Sequence, residues 1–144
     1  MEKKICEKHA RMWPREIFDR FDTTGKRKKA LIKVLEVFDK GGVYVLYRDD
    51  VPYYVGQATK LRVRLRKHAT QPDSRYYNFW NFFSAFVIED QRSRNAIEGI
   101  LIAAMPTANG AKPRLPKEKL SKQVKGIMRE IRRSNANPGQ FRNN

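Results

Sequence analysis

The stretch GVYVLYRDDVPYYVG, residues 42–56, decides the fold that this sequence predicts. It contains two runs rich in β-branched and aromatic residues, 43–47 and 53–55, and such runs are typical of strands. The polar residues 48–50 separate them, which predicts a hairpin of two antiparallel strands. Pro52 has no N–H to donate, so we expect it where the ladder of the hairpin does not need one.

The register of this hairpin depends on the length of its turn. A turn of three residues, 48–50, would place Tyr44 directly opposite Tyr54, with their Cβ atoms about 5 Å apart on one face of the sheet. A turn of two residues would break that pairing. The sequence is compatible with both lengths.

The first 40 residues predict two helices. Pro14 suits the first turn of a helix that runs through Ile17, Phe18 and Phe21, and residues 22–25 break it. The second helix has an apolar stripe at i, i+3, i+4 and i+7 spacing, which is typical of a helix with one buried face. This stripe consists of Ala30, Leu31, Val34, Leu35 and Phe38.

Helices and one more strand follow the hairpin. We expect Thr59 to cap a helix over 60–69, followed by a third strand at 83–88, a strongly apolar helix at 92–104 and a basic helix at 117–133. The predicted fold is therefore α+β: a small three-stranded antiparallel sheet flanked by helices, with extra basic helices at both termini.

The charge of the chain is unevenly distributed. Of 144 residues, 31 are Lys or Arg and 15 are Asp or Glu, so the formal net charge is +16. The excess is +5 in residues 1–40, +5 in residues 60–68 and +8 in residues 112–144, whereas 41–59 and 69–111 are each −1. This distribution predicts a nearly neutral core with basic helices around it. Nucleic acid is the leading partner on charge alone, and an anionic membrane surface is the second.

Length and composition limit the classes of protein that this chain can represent. A length of 144 residues corresponds to one domain, which we divide into an N-terminal helical extension (1–40), a central module (41–111) and a basic C-terminal helix and tail (112–144). No stretch approaches the roughly 18 apolar residues that a membrane-spanning helix needs, and of the two possible partners we expect nucleic acid and not a membrane. The lone Cys6 and an N-terminus unlike a signal peptide favour a cytoplasmic protein. One Cys and two His exclude the usual Cys/His zinc sites.

A set of glycine, tyrosine and polar residues follows the predicted elements in one order. The set is Gly42-Val43-Tyr44, Tyr54-Val55-Gly56, Arg64 with His68, Glu98, and Asn109. This series resembles the GIY-YIG nuclease family, and the resemblance covers about residues 41–111, the usual catalytic module of that family. Val43 and Val55 replace the isoleucines of the family name, and Gln57 stands where the family often has Lys or Ser.

The resemblance implies a metal-dependent endonuclease that hydrolyses phosphodiester bonds, with DNA favoured over RNA as the substrate. The implied cofactor is Mg²⁺, with Mn²⁺ as a substitute. Mg²⁺ commonly binds proteins through only one or two carboxylates, and Glu98, the one acid within the apolar helix, is the expected ligand. The planar guanidinium of Arg64 would clamp the scissile phosphate.

Two tyrosines are the candidates for activating water. Tyr44 and Tyr54 would position the water or accept its proton, and nearby positive charge would have to lower a phenol pKa that is ordinarily near 10. The sequence does not distinguish which tyrosine takes the proton. His68 would relay a proton or bind phosphate, or else be a structural residue on the inner face of its helix. We expect Asn109 to fix the loop beside the site by side-chain hydrogen bonds.

Further residues are expected to bind the substrate without taking part in the chemistry. They lie beside the second motif, on the helix at 60–69 and after Asn109, and comprise Gly56, Gln57, Arg62, Arg66, Lys67, Lys112 and Arg114. The aromatic run 76–83 would stack on unpaired bases or, as is commoner, pack in the core.

Two questions about the assembly and the activity follow from this prediction. A chain with one site cuts one strand, so we expect a homodimer if the substrate is duplex DNA that is cut on both strands. The alternative function is a non-catalytic, basic nucleic-acid-binding protein that retains the scaffold.

Overall fold

The computed structural model describes residues 3–18, 33–74, 76–77, 79–107, 109 and 115–136. The described residues form an antiparallel sheet with helices on both faces, so the α+β prediction is confirmed. The strands are β1 (His9–Pro14), β2 (Gly42–Arg48), β3 (Val51–Ala58) and β4 (Phe82–Val87). The helices are α1 (Leu61–Thr70), α2 (Gln91–Ala104) and α3 (Lys122–Ala136), with short 3-10 helices at Arg15–Phe18 and Glu36–Asp39. None of the described helices is long and apolar enough to cross a membrane.

The sheet has four strands in the order β1-β4-β2-β3, so the predicted number of three is wrong. The additional strand, β1, pairs with β4 through Ala10 opposite Ala85 and Trp13 opposite Phe83. Pro14 therefore ends a strand instead of beginning an α-helix, and the 3-10 helix Arg15–Phe18 follows it. The partners lie some 70 residues away, a long-range pairing that no local pattern signals. The end of the predicted first helix, at Phe21, lies outside the described residues.

The second predicted helix is confirmed in part. Residues 33–35 are helical and continue into the 3-10 helix Glu36–Asp39. Leu35 and Phe38 are buried in the core as the stripe predicts, but Val34 is exposed. Ala30 and Leu31 lie outside the described residues.

The hairpin is closed by the two-residue turn Asp49-Asp50, with Arg48 opposite Val51. Asp49 has a positive φ of 56°, a conformation that Asp tolerates better than most residues. The register shifts by one residue between Leu46 and Tyr47, so that Leu46 faces Tyr54 and Tyr44 faces Gly56. The two phenols are thus diagonal neighbours on one face, and the direct pairing that a three-residue turn would give does not occur.

Gly56 leaves the space that the Tyr44 ring fills. A Cβ atom at Gly56 would lie 2.5 Å from both Cζ and the hydroxyl oxygen of Tyr44, and 2.8 Å from Cε1 of Tyr54. The glycine of the second motif is therefore required by the tyrosine of the first motif, since no side chain fits beneath the ring.

The two faces of the sheet have separate cores. On one face, Tyr44 and Leu46 pack with Leu61 and Leu65 of α1 and with Trp80. On the other face, Val43, Val45 and Val55 pack against Ile97 and Leu101 of α2. Since β3 is an edge strand and α1 and α2 pack on opposite faces of the sheet, the two helices flank this edge from opposite sides.

The ends of the three helices differ from the prediction in detail. Thr59 does not cap α1; the N-cap is Lys60, and it makes no side-chain cap hydrogen bond. Helix α2 begins after Asp90, whose carboxylate accepts a hydrogen bond from the backbone N–H of Ser93. Helix α3 begins at Lys122, five residues later than predicted.

Replacing Gly56 with alanine tests the packing of the hairpin. We expect Gly56→Ala to destabilise the protein by about 1–3 kcal/mol, because the new methyl group overlaps the Tyr44 ring. Gly126→Ala is the matched control, since a Cβ there meets nothing within 4 Å and a helical alanine stabilises by about 0.5–1 kcal/mol. Urea unfolding of both variants gives the comparison, and equal stability of Gly56→Ala and wild type would contradict this packing.

Candidate active site

A chain of hydrogen bonds connects Tyr44 to α1 and to the loop after it. The Tyr44 hydroxyl is 2.9 Å from Nε2 of His68, and Nδ1 of His68 is 2.8 Å from Oγ of Ser74. Tyr44 is 1% exposed and His68 is 8% exposed, so water has little access to these groups. The imidazole thus fixes the position of the Tyr44 hydroxyl at the inner end of the site.

Burial keeps His68 neutral. Desolvation, with the nearby charges of Arg64 and Lys67, lowers the pKa of His68 to about 4. A neutral imidazole has one N–H and one free nitrogen, so His68 donates one of its two hydrogen bonds and accepts the other. His68 is therefore not a cationic phosphate ligand near pH 7.

Tyr54 and Tyr76 form the outer wall of the site. The rings of Tyr44 and Tyr54 have centroids 6.1 Å apart, and Tyr76 stacks on Tyr54 at 4.1 Å. Tyr76 also meets the His68 ring edge-on at 5.7 Å. The four rings form one cluster, in which Tyr44 is buried and Tyr54 is half-buried.

The pKa values of both candidate phenols are raised. Burial raises the pKa of Tyr44 far above its usual range, and it is the largest cause of the higher pKa of Tyr54 as well. A hydrogen bond between the two hydroxyls raises the pKa of Tyr44 and lowers that of Tyr54. The positive charge of Arg64 lowers both values but does not overcome burial. The expectation that Arg64 helps to ionise the phenols is thus correct in sign, and its effect alone is too small.

Arg64 lies on the exposed surface of α1, one turn before His68. Its charge influences the pKa of Tyr44, Tyr54 and His68, so the guanidinium borders the aromatic cluster. An exposed guanidinium beside a buried cluster is available to an anion in solvent.

Glu98 is half-buried on α2 and belongs to a network of side-chain amides. Nε2 of Gln57 donates to Oδ1 of Asn95 at 2.9 Å and lies 3.3 Å from Oε1 of Glu98. Nε2 of Gln91 donates to Oε1 of Gln57 and to Oδ1 of Asn95, both at 2.9 Å. The negative charge of Glu98 raises the pKa of Tyr44 and Tyr54, which places the carboxylate within electrostatic reach of both phenols.

Arg94 fixes the start of α2, one turn before Glu98. Its side chain is 6% exposed, and Nη1 donates to the backbone carbonyls of Ile88 at 3.0 Å and Glu89 at 2.7 Å. Nη2 donates to Oε1 of Gln91 at 2.7 Å. Arg94 thus links the end of β4 to the helix that carries Glu98.

Asn109 binds the free edge of β3. Its Oδ1 accepts from the backbone N–H of Val55 at 3.0 Å, and its Nδ2 donates to the Val55 carbonyl at 2.7 Å. The carboxamide replaces the pairing that a neighbouring strand would give. The predicted side-chain hydrogen bonds of Asn109 are therefore present. They hold the backbone of Val55, which lies between Tyr54 and Gly56.

The predicted substrate-binding residues are placed in different environments. Arg66 and Lys67 are exposed on α1, whereas Arg62 forms an ion pair with Asp39 at 3.5 Å. Gly56 and Gln57 lie on β3, where Gly56 accommodates Tyr44 and Gln57 contacts Glu98. Lys112 and Arg114 lie outside the described residues.

The sequence reasoning missed several residues at this site. Asn95 lies one turn before Glu98, and this i, i+3 spacing was the available signal. Gln91 shares that helix face one turn earlier. Ser74 and Tyr76 lie in a loop without periodicity, so their contacts with His68 and Tyr54 had no signal in the sequence.

Comparison with known proteins agrees with the resemblance that the motifs indicate. Residues 40–105 match the model of the GIY-YIG catalytic domain. A search of curated proteins found no match.

The fold search found crystal structures of the GIY-YIG N-terminal endonuclease domain of UvrC from Thermotoga maritima. A tyrosine-to-phenylalanine variant bound to the catalytic divalent cation is 23% identical, with a TM-score of 0.47, over 59% of this chain and 98% of that one. The magnesium-bound form is 26% identical, with a TM-score of 0.45, over 56% of this chain and 93% of that one.

The low pKa of His68 predicts how stability depends on pH. A histidine with a pKa near 6.5 when unfolded and about 4 when folded stabilises the fold above pH 6.5, and this contribution disappears as the pH falls towards 4. The loss amounts to about 3 kcal/mol. Urea unfolding at pH 7 and at pH 4 measures the loss. The free energy of unfolding of His68→Asn should fall between the two pH values by about 3 kcal/mol less than that of wild type. His9→Gln, at the exposed second histidine, should behave as wild type; the same pH dependence in His68→Asn and wild type would contradict a buried neutral His68.

Proposed function

We propose that this protein is a metal-dependent endonuclease that hydrolyses phosphodiester bonds in DNA. The proposal rests on one electrostatic observation: Arg64 lowers, and Glu98 raises, the pKa of both Tyr44 and Tyr54. A charge shifts the pKa of a neighbour chiefly over short distances, so Arg64 and Glu98 are both electrostatic neighbours of the two phenols beside β3. Together the four groups provide a proton acceptor, a positive clamp and a ligand for a hard cation, which hydrolysis of a phosphodiester requires.

The donor set fits a divalent cation that is held by one carboxylate. Among the described residues, no group of three or more His, Cys, Asp or Glu side chains is arranged to hold a metal ion. Glu98 is the acid beside the phenols, and in the described part of the chain only its Oε1 has a hydrogen-bond partner. Mg²⁺ accepts such a site because it keeps several waters, and we expect Mn²⁺ to replace it. When bound, the cation would stabilise the negative charge that develops on the phosphate and on the leaving oxygen.

Gln57 acts as a positioning residue in this proposal. Its N–H group holds one oxygen of Glu98 and leaves the other free, while Gln91 and Asn95 fix the Gln57 amide itself. A hydrogen-bonded outer shell orients a ligating carboxylate and affects metal affinity. The side-chain amides thus orient the Glu98 carboxylate without placing another charge beside it.

Tyr54, as a phenolate, is the proposed acceptor of the proton from water. Its own proton would first be released to solvent, and the positive charge of a cation held at Glu98 would favour that release. Tyr54 is the more accessible phenol, and the hydrogen bond from Tyr44 lowers its pKa while raising that of Tyr44. Tyr44, which His68 holds in place, then serves as the donor that stabilises a Tyr54 phenolate. Arg64 clamps the phosphate, and Asn109 keeps Tyr54 in position by binding Val55.

The residues that we propose to bind the substrate outside the site are basic. Arg66 and Lys67 extend the exposed surface of α1, and the strongly basic segment 112–144 includes α3. Contacts of this kind bind the backbone of nucleic acids without reading sequence, and they weaken as salt rises. We propose DNA rather than RNA as the substrate, and a homodimer where duplex DNA is cut on both strands. We also propose that the chain consists of an N-terminal extension (1–40), a catalytic module (41–111) and a basic C-terminal segment (112–144).

Removing the proposed metal ligand tests the function. Supercoiled plasmid with Mg²⁺ should be nicked by wild type, and Glu98→Gln should reduce the rate at least 100-fold, equivalent to about 3 kcal/mol of transition-state stabilisation. Glu36→Gln is the control, because it makes the same change of charge at an exposed position.

Binding without cleavage would contradict this function. If wild type leaves plasmid, single-stranded and branched DNA intact with Mg²⁺ and with Mn²⁺ while still binding them, the chain is a non-catalytic binding protein. Unimpaired cleavage by Glu98→Gln would instead show that the metal ligand is wrongly assigned.

The support of Glu98 by Gln57 predicts a specific change in metal dependence. Gln57→Ala should raise the Mg²⁺ concentration that gives half-maximal cleavage by roughly tenfold, with most of the rate recovered at saturating Mg²⁺. Gln91→Ala should have a smaller effect, since it keeps the direct contact between Gln57 and Glu98. An unchanged Mg²⁺ titration of Gln57→Ala would show that the amide does not position the carboxylate.

A further inference from the structure

The aromatic run 76–83 divides into buried and exposed members. Trp80 and Phe83 are 1% and 0% exposed, as the core prediction for this run requires. Phe79 differs, because 53% of its surface is exposed. Packing in the core, which explains Trp80 and Phe83, does not explain the exposed side chain of Phe79.

One side of the Phe79 ring is already engaged. Phe79 stacks on Tyr53 of β3, with centroids 5.7 Å apart and planes only 11° from parallel. Tyr53 is the bulged residue of β3, between Pro52 and Tyr54, at the point where the register of the hairpin shifts. We name this pair, Tyr53 and Phe79, the aromatic step; about half of the surface of Phe79 remains open to solvent beside it.

The aromatic step is continuous with the candidate active site. Tyr76 meets Tyr53 edge-on at 6.2 Å and stacks on Tyr54 at 4.1 Å. Two ring contacts therefore lead from Tyr53 to the proposed proton acceptor. Successive nucleotides of a stacked strand rise by about 3.4 Å, so the step lies within a few nucleotides of a phosphate bound beside Tyr54.

We propose that the aromatic step binds an unpaired nucleobase by stacking on Phe79, a few nucleotides from the phosphodiester that is cleaved. The proposal rests on the proposed function and narrows its substrate class to DNA with unpaired bases near the cut, such as a flap, a gap or a bulge. A base inside a duplex has both faces covered by its neighbours, whereas an unpaired base offers a face to an aromatic side chain. The net charge of +16 supplies the attraction for the strand, and the ring supplies the preference for unpaired bases.

A fluorescent base tests the stacking without depending on cleavage. The probe is 2-aminopurine, whose fluorescence falls when it stacks, placed at one position of a DNA flap and scanned over the five nucleotides on either side of the junction. The protein is the full chain carrying Glu98→Gln, which keeps the DNA intact, with Mg²⁺ present.

We expect quenching at one or two unpaired positions and none when the same 2-aminopurine is paired with thymine. Phe79→Leu retains an apolar side chain against Tyr53 but removes the aromatic face, so it should abolish the quenching and weaken flap binding about 5- to 50-fold. Phe79→Trp should restore both, and Val63→Ala, at an exposed apolar residue of α1, should change neither. Thermal unfolding of each variant verifies that it is folded.

Each outcome separates the two proposals. Quenching that is absent at every position, or equally strong in Phe79→Leu, would overturn the aromatic step even if the wild type cleaves plasmid. Quenching that depends on Phe79 supports the step even if cleavage fails, and in that case the nuclease proposal alone is wrong.

Discussion

The close approach of the Tyr44 ring to the backbone of Gly56 is the constraint on which the rest of the site depends. It requires β2 and β3 to pair in one register, in which the ring crosses the neighbouring strand where no side chain stands. The ring then reaches His68, which brings α1 and Arg64 to the same side of the sheet. A shift of the register by one residue would turn Tyr44 to the opposite face. Fold and site are therefore specified by the same packing contact.

The edge of β3 is where groups from both faces of the sheet meet. Tyr44, Tyr54 and His68 lie on the α1 face, whereas Glu98 comes from α2, which packs against the opposite face. Gln57, a β3 residue, connects the strand to Glu98, and Asn109 covers the backbone of Val55. An edge strand has free backbone groups that usually need protection, and here the protecting carboxamide also stabilises the strand beside the phenols.

Burial and charge oppose each other in this site. Desolvation keeps Tyr44 protonated and His68 neutral, so the inner part of the cluster carries no charge near neutral pH. Arg64 and Glu98 lie at its border, and their charges act on the pKa of the two phenols with opposite signs. Positive charge bound at Glu98, as the proposed cation would supply, would shift this balance towards phenolate.

Local patterns predicted much of the fold, because hairpin strands and amphipathic helices are encoded in short periodic stretches. They failed for β1, whose pairing with β4 depends on residues far away in the chain, and Pro14 fits a strand end as well as a helix start. The turn length depended on the backbone of Asp49 and on the bulge at Tyr53, neither of which alternation reveals. For the candidate site, the order of the motifs predicted Tyr44, Tyr54, Arg64, Glu98 and Asn109, which stay predictions, whereas the network of Gln57, Gln91 and Asn95 required three-dimensional placement.

We propose that Glu98, Arg64 and the two phenols surround one phosphate and one cation. The most direct measurement is a crystal structure of the protein with an uncleaved phosphorothioate oligonucleotide and Mn²⁺, located by its anomalous scattering. We expect a Mn²⁺ peak about 2.0–2.2 Å from a carboxylate oxygen of Glu98, with a backbone phosphate in hydrogen-bond contact with Arg64. A cation bound away from Glu98, with the DNA backbone on a surface remote from β3, would contradict it.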